Sequence, residues 1–217
     1  MVTGAAGFIG SAVSRRLLET GHTVIGVDCL LSELYSNIVK EARLKELVYF
    51  PNFSFQKIDL RHQSFTSYLI GVDVLINEAA LPGLLPANSY SGKYRSFNML
   101  LVERVLSQLI DFPQIHFVQA STSSVYGVQV IGGEDQALLP ISPYGIAKLE
   151  AERTIAFYRQ RYGLSATVLR YFSVYGPNQR PDMAYSKICH QLLRSSPITI
   201  SGDGHQTRTN TYIDDVV

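Results

Sequence analysis

The sequence predicts an α/β fold: a doubly wound parallel sheet carrying part of a smaller C-terminal lobe. Three observations predict it. A glycine-rich turn at residues 4–10 joins a strand to a helix. Short Val/Ile/Leu runs alternate with stretches of helical period over residues 1–172, and that rhythm weakens from residue 173 to 217.

The elements follow in order. Residues 1–3 are the end of a first strand. A helix over 8–20 puts Ile9, Val13 and Leu17 on one face, and Gly21 stops it. Residues 22–28 form strand two, 32–47 a helix and 53–59 strand three. Residues 72–77 are a short apolar run typical of a strand buried on both faces. A helix over 93–109 leads to strand five at 115–120. Ser142 or Pro143 opens a helix that reaches residue 162, where Gly163 ends it, and 166–171 are strand six. Beyond a boundary near 172 we expect a helix at 183–193, a short strand at 198–201 and another at 212–213. Asp214 or Asp215 reads as a helix N-cap with only Val216 and Val217 behind it. Together with the half-length first strand, this reads as a fragment cut at both ends.

Composition narrows the function classes. The 217 residues are 46% apolar, enough for a large core, and the net charge is +1 with both signs mixed along the chain. No basic stripe suggests nucleic acid, and no apolar run is long enough for a membrane span. Cys29 and Cys189 are too few for a disulfide framework, so a reducing, cytoplasmic setting is expected. The five histidines lack metal-ligand spacing, so no metal is expected.

The turn reads Gly4-Ala5-Ala6-Gly7-Phe8-Ile9-Gly10. The first glycine makes the tight bend, the second lets backbone approach a pyrophosphate, and the third lets helix pack on strand. The helix N-terminus then offers free N–H groups and a positive dipole end to phosphate. Asp28 ends strand two, where a carboxylate can accept both ribose hydroxyls and would repel a 2′-phosphate. NAD is therefore the expected cofactor. Asp59, at the end of strand three, is a candidate for the adenine edge.

Residues 120–148 carry the chemistry. Thr122 ends strand five, and Tyr144 and Lys148 lie four apart on the helix that follows, hence on one face. Ligands of open parallel sheets bind at those strand ends. A free tyrosine ionises near ~10. A cation close by can lower that by roughly 1–3 units, so Lys148 is expected to make Tyr144 a usable base. Thr122 would hydrogen-bond the reacting oxygen. An alcohol oxidised, or a ketone reduced, by a nicotinamide is the reaction this set suits.

These residues resemble the extended short-chain dehydrogenase/reductases, with their Rossmann-like fold, and within them the NAD-dependent epimerase/dehydratase family. The similarity runs through residues 3–10, Asp28, Asp59, Ala79, Ala80, 121–127, 143–148, 169–177, 179–183, 202–204, Gln206, Arg208 and 212–215. It looks most like nucleotide-sugar 4-epimerases of the UDP-glucose and UDP-glucuronate kind. That resemblance implies Thr122, Tyr144 and Lys148 as catalytic residues. For NAD it implies Gly4, Gly7, Phe8, Ile9, Gly10, Asp28, Asp59, Leu60, Ala79, Ala80, Ser121 and Tyr171, besides Tyr144 and Lys148. For a UDP-linked sugar it implies Pro82, Asn98, Ser123, Ser173 and Arg208. It also implies a homodimer through the helices near 93–110 and 143–162.

Ser123 and Ser124 stand where dehydrating relatives carry Asp-Glu and decarboxylating ones a Glu, which argues for epimerisation. Several positions depart from the family pattern: Ser173 for Asn, Asn77 and Glu78 for His and an uncharged residue, Leu84 and Leu85 for a basic residue, Asn178 for a basic residue and Thr209 for Asp. Most lie on the sugar side and bear on substrate choice. A nucleotide-sugar reductase, dehydrogenase or dehydratase, or an inactive NAD-binding fragment, are the alternative readings.

Overall fold

The computed structural model describes residues 1–83, 92–128, 130, 132–200, 202–205 and 207–217. Leu84, Leu85 and Gln206 lie outside the described residues. The chain builds β1 (Val2–Thr3), α1 (Phe8–Glu19), β2 (Val24–Asp28), α2 (Asn37–Leu47), β3 (Phe53–Lys57) and β4 (Val74–Asn77). A π-helical stretch, Arg95–Leu100, runs into α3 (Leu101–Leu109). Then come β5 (His116–Thr122), α4 (Pro143–Tyr162), β6 (Ala166–Tyr171), β7 (Ser173–Tyr175), α5 (Ala184–Leu193) and β8 (Asn210–Tyr212).

Six strands form one parallel sheet in the order β3-β2-β1-β4-β5-β6. This is the doubly wound order, and its reversal between β1 and β4 opens a crevice at the C-terminal strand ends. Short as it is, β1 sits at the sheet centre with Val2 and Thr3 fully buried. Thr3 donates its hydroxyl to Asn77 Oδ1, and Asn77 Nδ2 donates to Gln119 Oε1 at 2.8 Å. That polar tie crosses β1, β4 and β5, so Asn77 is a sheet residue whose side chain is spent inside the core. One core layer packs Leu75, Val105, Leu106, Phe117 and Ile155 between the sheet, α3 and α4. The other packs Val2, Val13, Leu18, Val24, Leu44 and Leu47 beneath α1 and α2.

Local chemistry explains most boundaries. Ser142 Oγ accepts from Gly145 N at 3.0 Å, Pro143 follows, and Gly163 closes α4 at φ 71°. The expected helix over 32–47 begins only at Asn37, where Ser36 caps Ile38 N. Its first residues are spent otherwise: Leu31 and Leu34 pack with Leu81, Tyr94, Phe97 and Tyr144. β5 runs on to Thr122 because β6 continues beside it, pairing Thr122 with Tyr171.

The C-terminal region departs from expectation. Of the strand expected at 198–201, residues 198–200 are exposed and not extended into a strand, and Ser201 lies outside the described residues. Instead Ser173–Tyr175, unanticipated, pairs in parallel with Asn210–Tyr212. Residues 213–215 form a 3₁₀ turn rather than extended chain or a capped helix start. This pairing joins segments far apart in sequence, and no local pattern signals it. Among the described residues, no helix is long and apolar enough to cross a membrane, and no group of three or more His, Cys, Asp or Glu could hold a metal.

Candidate active site

A cavity of about 410 Å³ opens at the strand ends. One end is pure backbone. Gly7 precedes α1 with no side chain capping the helix, so the first-turn N–H groups face the cavity without a side-chain partner. The bend is very tight: a Cβ on Gly4, whose φ is +66°, would lie 2.8 Å from Ala79 N. Asp28, nearly buried, closes that end. Its Oδ1 accepts from Leu30 N at 2.7 Å and its Oδ2 from Ala6 N at 3.2 Å. These groups fit a dinucleotide: a cradle only glycine can form, followed by a carboxylate at ribose distance along the wall. Lys40 Nζ stands 3.9 Å from Asp28 Oδ1, a cation from α2 with no forewarning in the spacing. Asp59 and Leu60 line the same end, but the Asp59 carboxylate is gripped by Arg61 at 2.6 and 3.0 Å. That bond, outweighing partial burial, holds the Asp59 carboxyl below its ordinary value.

At the other end stand Ser121, Thr122, Ser123, Ser124, Tyr144, Lys148, Tyr171 and Ser173. The Tyr144 ring is held edge-on by Tyr94, with centroids 5.7 Å apart. It is pressed by Gly83, on the segment after β4, where a Cβ would come within 2.5 Å of Tyr144 Cδ1. Replacing Gly83 with Ala therefore has to push the ring aside. About 1 Å of displacement at a reacting group costs on the order of 100-fold in rate. The expected result is a fall in kcat of that order with the circular dichroism spectrum unchanged, measured by steady-state kinetics.

Burial dominates the electrostatics of this end. Burial pushes the Tyr144 phenol up to about 12; hydrogen bonding to Thr122 and the charge of Arg180 pull the other way. Lys148, which also lines the cavity, is bonded to the sheet: its Nζ donates to Ala120 O of β5 at 2.8 Å. Burial pushes Lys148 down to about 8, opposed by the charges of Glu78 and then Glu152. The residues share a helix face, as expected, yet the ammonium is turned to a backbone carbonyl.

Of the residues expected at the site, two do not reach the cavity wall. Asn98, on the π-helical stretch, is buried and clamps Leu81, donating to its carbonyl at 2.8 Å and accepting from its N–H at 2.7 Å. It fixes the loop that carries Pro82 and Gly83. Arg208 is exposed and donates to Thr207 O. Ala79, Ala80 and Pro82 line the wall as expected.

A family model described as the NAD dependent epimerase/dehydratase family matches residues 1–217. The chain belongs to that family. It is 41% identical to the uncharacterized UDP-glucose epimerase YtcB of Bacillus subtilis, covering all of this chain and 69% of that protein. It is 37% identical to a UDP-glucuronate 4-epimerase of Thermodesulfobacterium geofontis, covering all of this chain and 68% of that one. A crystal structure of UDP-glucuronic acid 4-epimerase from Bacillus cereus in complex with UDP-glucuronic acid and NAD superposes with a TM-score of 0.93. It is 36% identical and covers 99% of this chain and 69% of that one.

As an epimerase/dehydratase family member, the chain shows cavity residues that sequence reasoning did not assign. Arg180 lines the wall near Tyr144 and is paired with Asp182 at 3.0 Å. Glu78 had been noted only as a departure from the family pattern. It is a partly buried carboxylate on the cavity wall that accepts the Tyr171 hydroxyl at 3.0 Å. Positions 123 and 124 carry no carboxylate, but the cavity wall does.

Proposed function

We propose that this protein is an NAD-dependent nucleotide-sugar 4-epimerase acting on a UDP-hexose or UDP-hexuronate through a transient 4-keto sugar. One observation carries the reading: Thr122, Tyr144 and Lys148 line one end of the same cavity whose other end is the glycine cradle and Asp28.

The Gly4–Gly10 backbone and Asp28 would hold NAD, which when bound would supply the hydride-accepting and hydride-returning chemistry of the reaction. The Tyr144 phenol oxygen removes the proton of the sugar 4-hydroxyl in the first half and returns it in the second. Burial raises its pKa to about 12, which keeps the phenol protonated at neutral pH. A positive charge brought in with the cofactor is what favours its ionisation. Thr122 Oγ1, already accepting from Ser124 N at 3.1 Å, orients the reacting oxygen. Lys148, fixed to Ala120 O, holds the ammonium under the reacting atoms. Ser123 and Ser124 carry no charge that could expel water or a carboxyl from the sugar, which favours epimerisation.

In this reading residues 1–172 form the cofactor domain and 173–217 belong to the substrate-side lobe, where Ser173 faces the sugar. The free cysteines Cys29 and Cys189 suit a reducing, cytoplasmic setting. The assembly is a homodimer through α3 and α4; the exposed Phe157 and Tyr162 rings on α4 support it, and light scattering of the purified protein decides it.

The function is tested by incubating the protein with NAD and UDP-glucuronate or UDP-glucose and separating the products. The C4 epimer without net NADH is expected. NADH accumulating in step with product identifies a dehydrogenase instead. Loss of water from the sugar identifies a dehydratase, and NAD binding with no turnover an inactive module.

A further inference from the structure

Lys148 is fully buried among groups that would rather meet a neutral amine, so its charge needs a counter-charge. Two carboxylates act on it, Glu78 and Glu152. Glu152 is already committed. Arg170 grips it through Nη2 at 2.8 Å and Nε at 3.2 Å, and Ser121 donates its hydroxyl to it. Glu78 has no such cation of its own. It sits at the end of β4, two strands from β6, and its Oε1 accepts the Tyr171 hydroxyl across the end of β5. The span is 93 positions in sequence. Glu78, Tyr171, Lys148 and Ala120, whose carbonyl holds Lys148 Nζ, line one end of the same cavity.

We propose that Glu78, pinned by the Tyr171 hydroxyl on the cavity wall, is the counter-charge of the buried Lys148 ammonium and a positioning residue of this active site. The charged and titratable groups around it are Tyr144, Lys148 and Glu152 on α4, Arg170 and Tyr171 on β6, and Arg180 beside the phenol. Arg170 and Glu152 cancel one another. Glu78 acts on both Lys148 and Tyr144, in opposite senses for catalysis: it keeps the lysine charged but disfavours phenolate. Glu78 is the leading charge on Lys148. Burial accordingly leaves Glu78 at about 7, with the Tyr171 hydrogen bond and the Lys148 charge opposing.

The test is Glu78→Gln, which keeps an acceptor for Tyr171 but removes the charge. The first readout needs no cofactor: thermal stability against pH. Glu78 rises from 4.5 unfolded to about 7 folded, so the stability it contributes is present at low pH and lost as pH climbs through about 7. Lys148 falls from 10.5 to about 8, so stability returns as pH rises above about 8. In Glu78→Gln the loss below pH 7 should vanish, and the rise should begin at lower pH by about one unit. Tyr171→Phe, which keeps the carboxylate, should instead move the Glu78 loss to higher pH. A rise that starts at the same pH in wild type and Glu78→Gln overturns the proposal, as does a Tyr171→Phe curve that matches wild type. The second readout, resting on the epimerase reading, is the pH profile of kcat, whose basic limb should move down in Glu78→Gln. A wild-type protein that makes no epimer sinks that reading alone, because the stability curves still decide the role of Glu78.

Discussion

Replacing Tyr144 with Phe is expected to lower kcat for C4 epimerisation by about 10²–10⁴-fold, the range contributed by a positioned acid–base group. The substitution removes one oxygen and little else. The ring keeps its edge contact with Tyr94 and its seat against Gly83. Thr122 keeps Ser124 as a partner through both its N–H and its hydroxyl, at 3.1 and 3.2 Å, so no buried polar atom is stranded there. Stability should change by less than about 1 kcal/mol. NAD affinity should also be largely kept, because the glycine cradle and Asp28 lie at the other end of the cavity. A loss confined to the transition state lowers kcat and kcat/KM together. Steady-state kinetics, with NAD binding followed by calorimetry, check this. If the variant turns over within a few-fold of wild type, the phenol is not the base.

Replacing Gly10 with Ala is expected to destabilise the fold and weaken NAD binding together. The new Cβ would lie 2.2 Å from Gly4 O, 2.8 Å from Gly4 C and 3.3 Å from Ala5 Cα. Every obstacle is backbone, so no side chain can swing away. The Gly4 carbonyl cannot yield easily either. It accepts from Gly7 N at 2.8 Å, and Gly4 itself abuts Ala79 N and Glu78 C. Helix α1 must therefore lift off the sheet. Overpacking of this kind costs typically about 1–3 kcal/mol, and each kcal/mol moves the melting temperature of a domain this size by about 2–4 °C. The same movement takes the helix N-terminus away from the phosphates, so NAD affinity should fall by at least about tenfold. Thermal melts with and without NAD separate the two effects. An unchanged melting temperature would mean that the loop is looser than its contacts imply.

Much of this molecule was readable residue by residue. The parallel sheet, the span of α4 and the location of the cofactor cradle all rest on local signals. These are capping serines, a left-handed Gly163, glycines packed against backbone, and apolar runs of strand length. Tyr144 and Lys148 were legible for the same reason, since spacing on a helix sets a common face. What each side chain then touches was not. Asn98 and Asn77 both read as site positions by resemblance or departure, yet each is spent on a neighbouring strand or loop: Asn98 on Leu81, Asn77 between Thr3 and Gln119. Neither partner lies close enough in sequence to be inferred from spacing.

The chain's local chemistry thus settled where it turns, which segments are strands or helices, and which phenol and amine share a face. Those properties depend on neighbours a few residues away. The sheet alone decided that Lys148 turns to Ala120, that Glu78 and Tyr171 meet, and that Ser173–Tyr175 pairs with Asn210–Tyr212. The reason is geometric. Strand order and register bring residues tens of positions apart into contact. In a buried, weakly screening site those contacts, more than residue identity, set which charges survive.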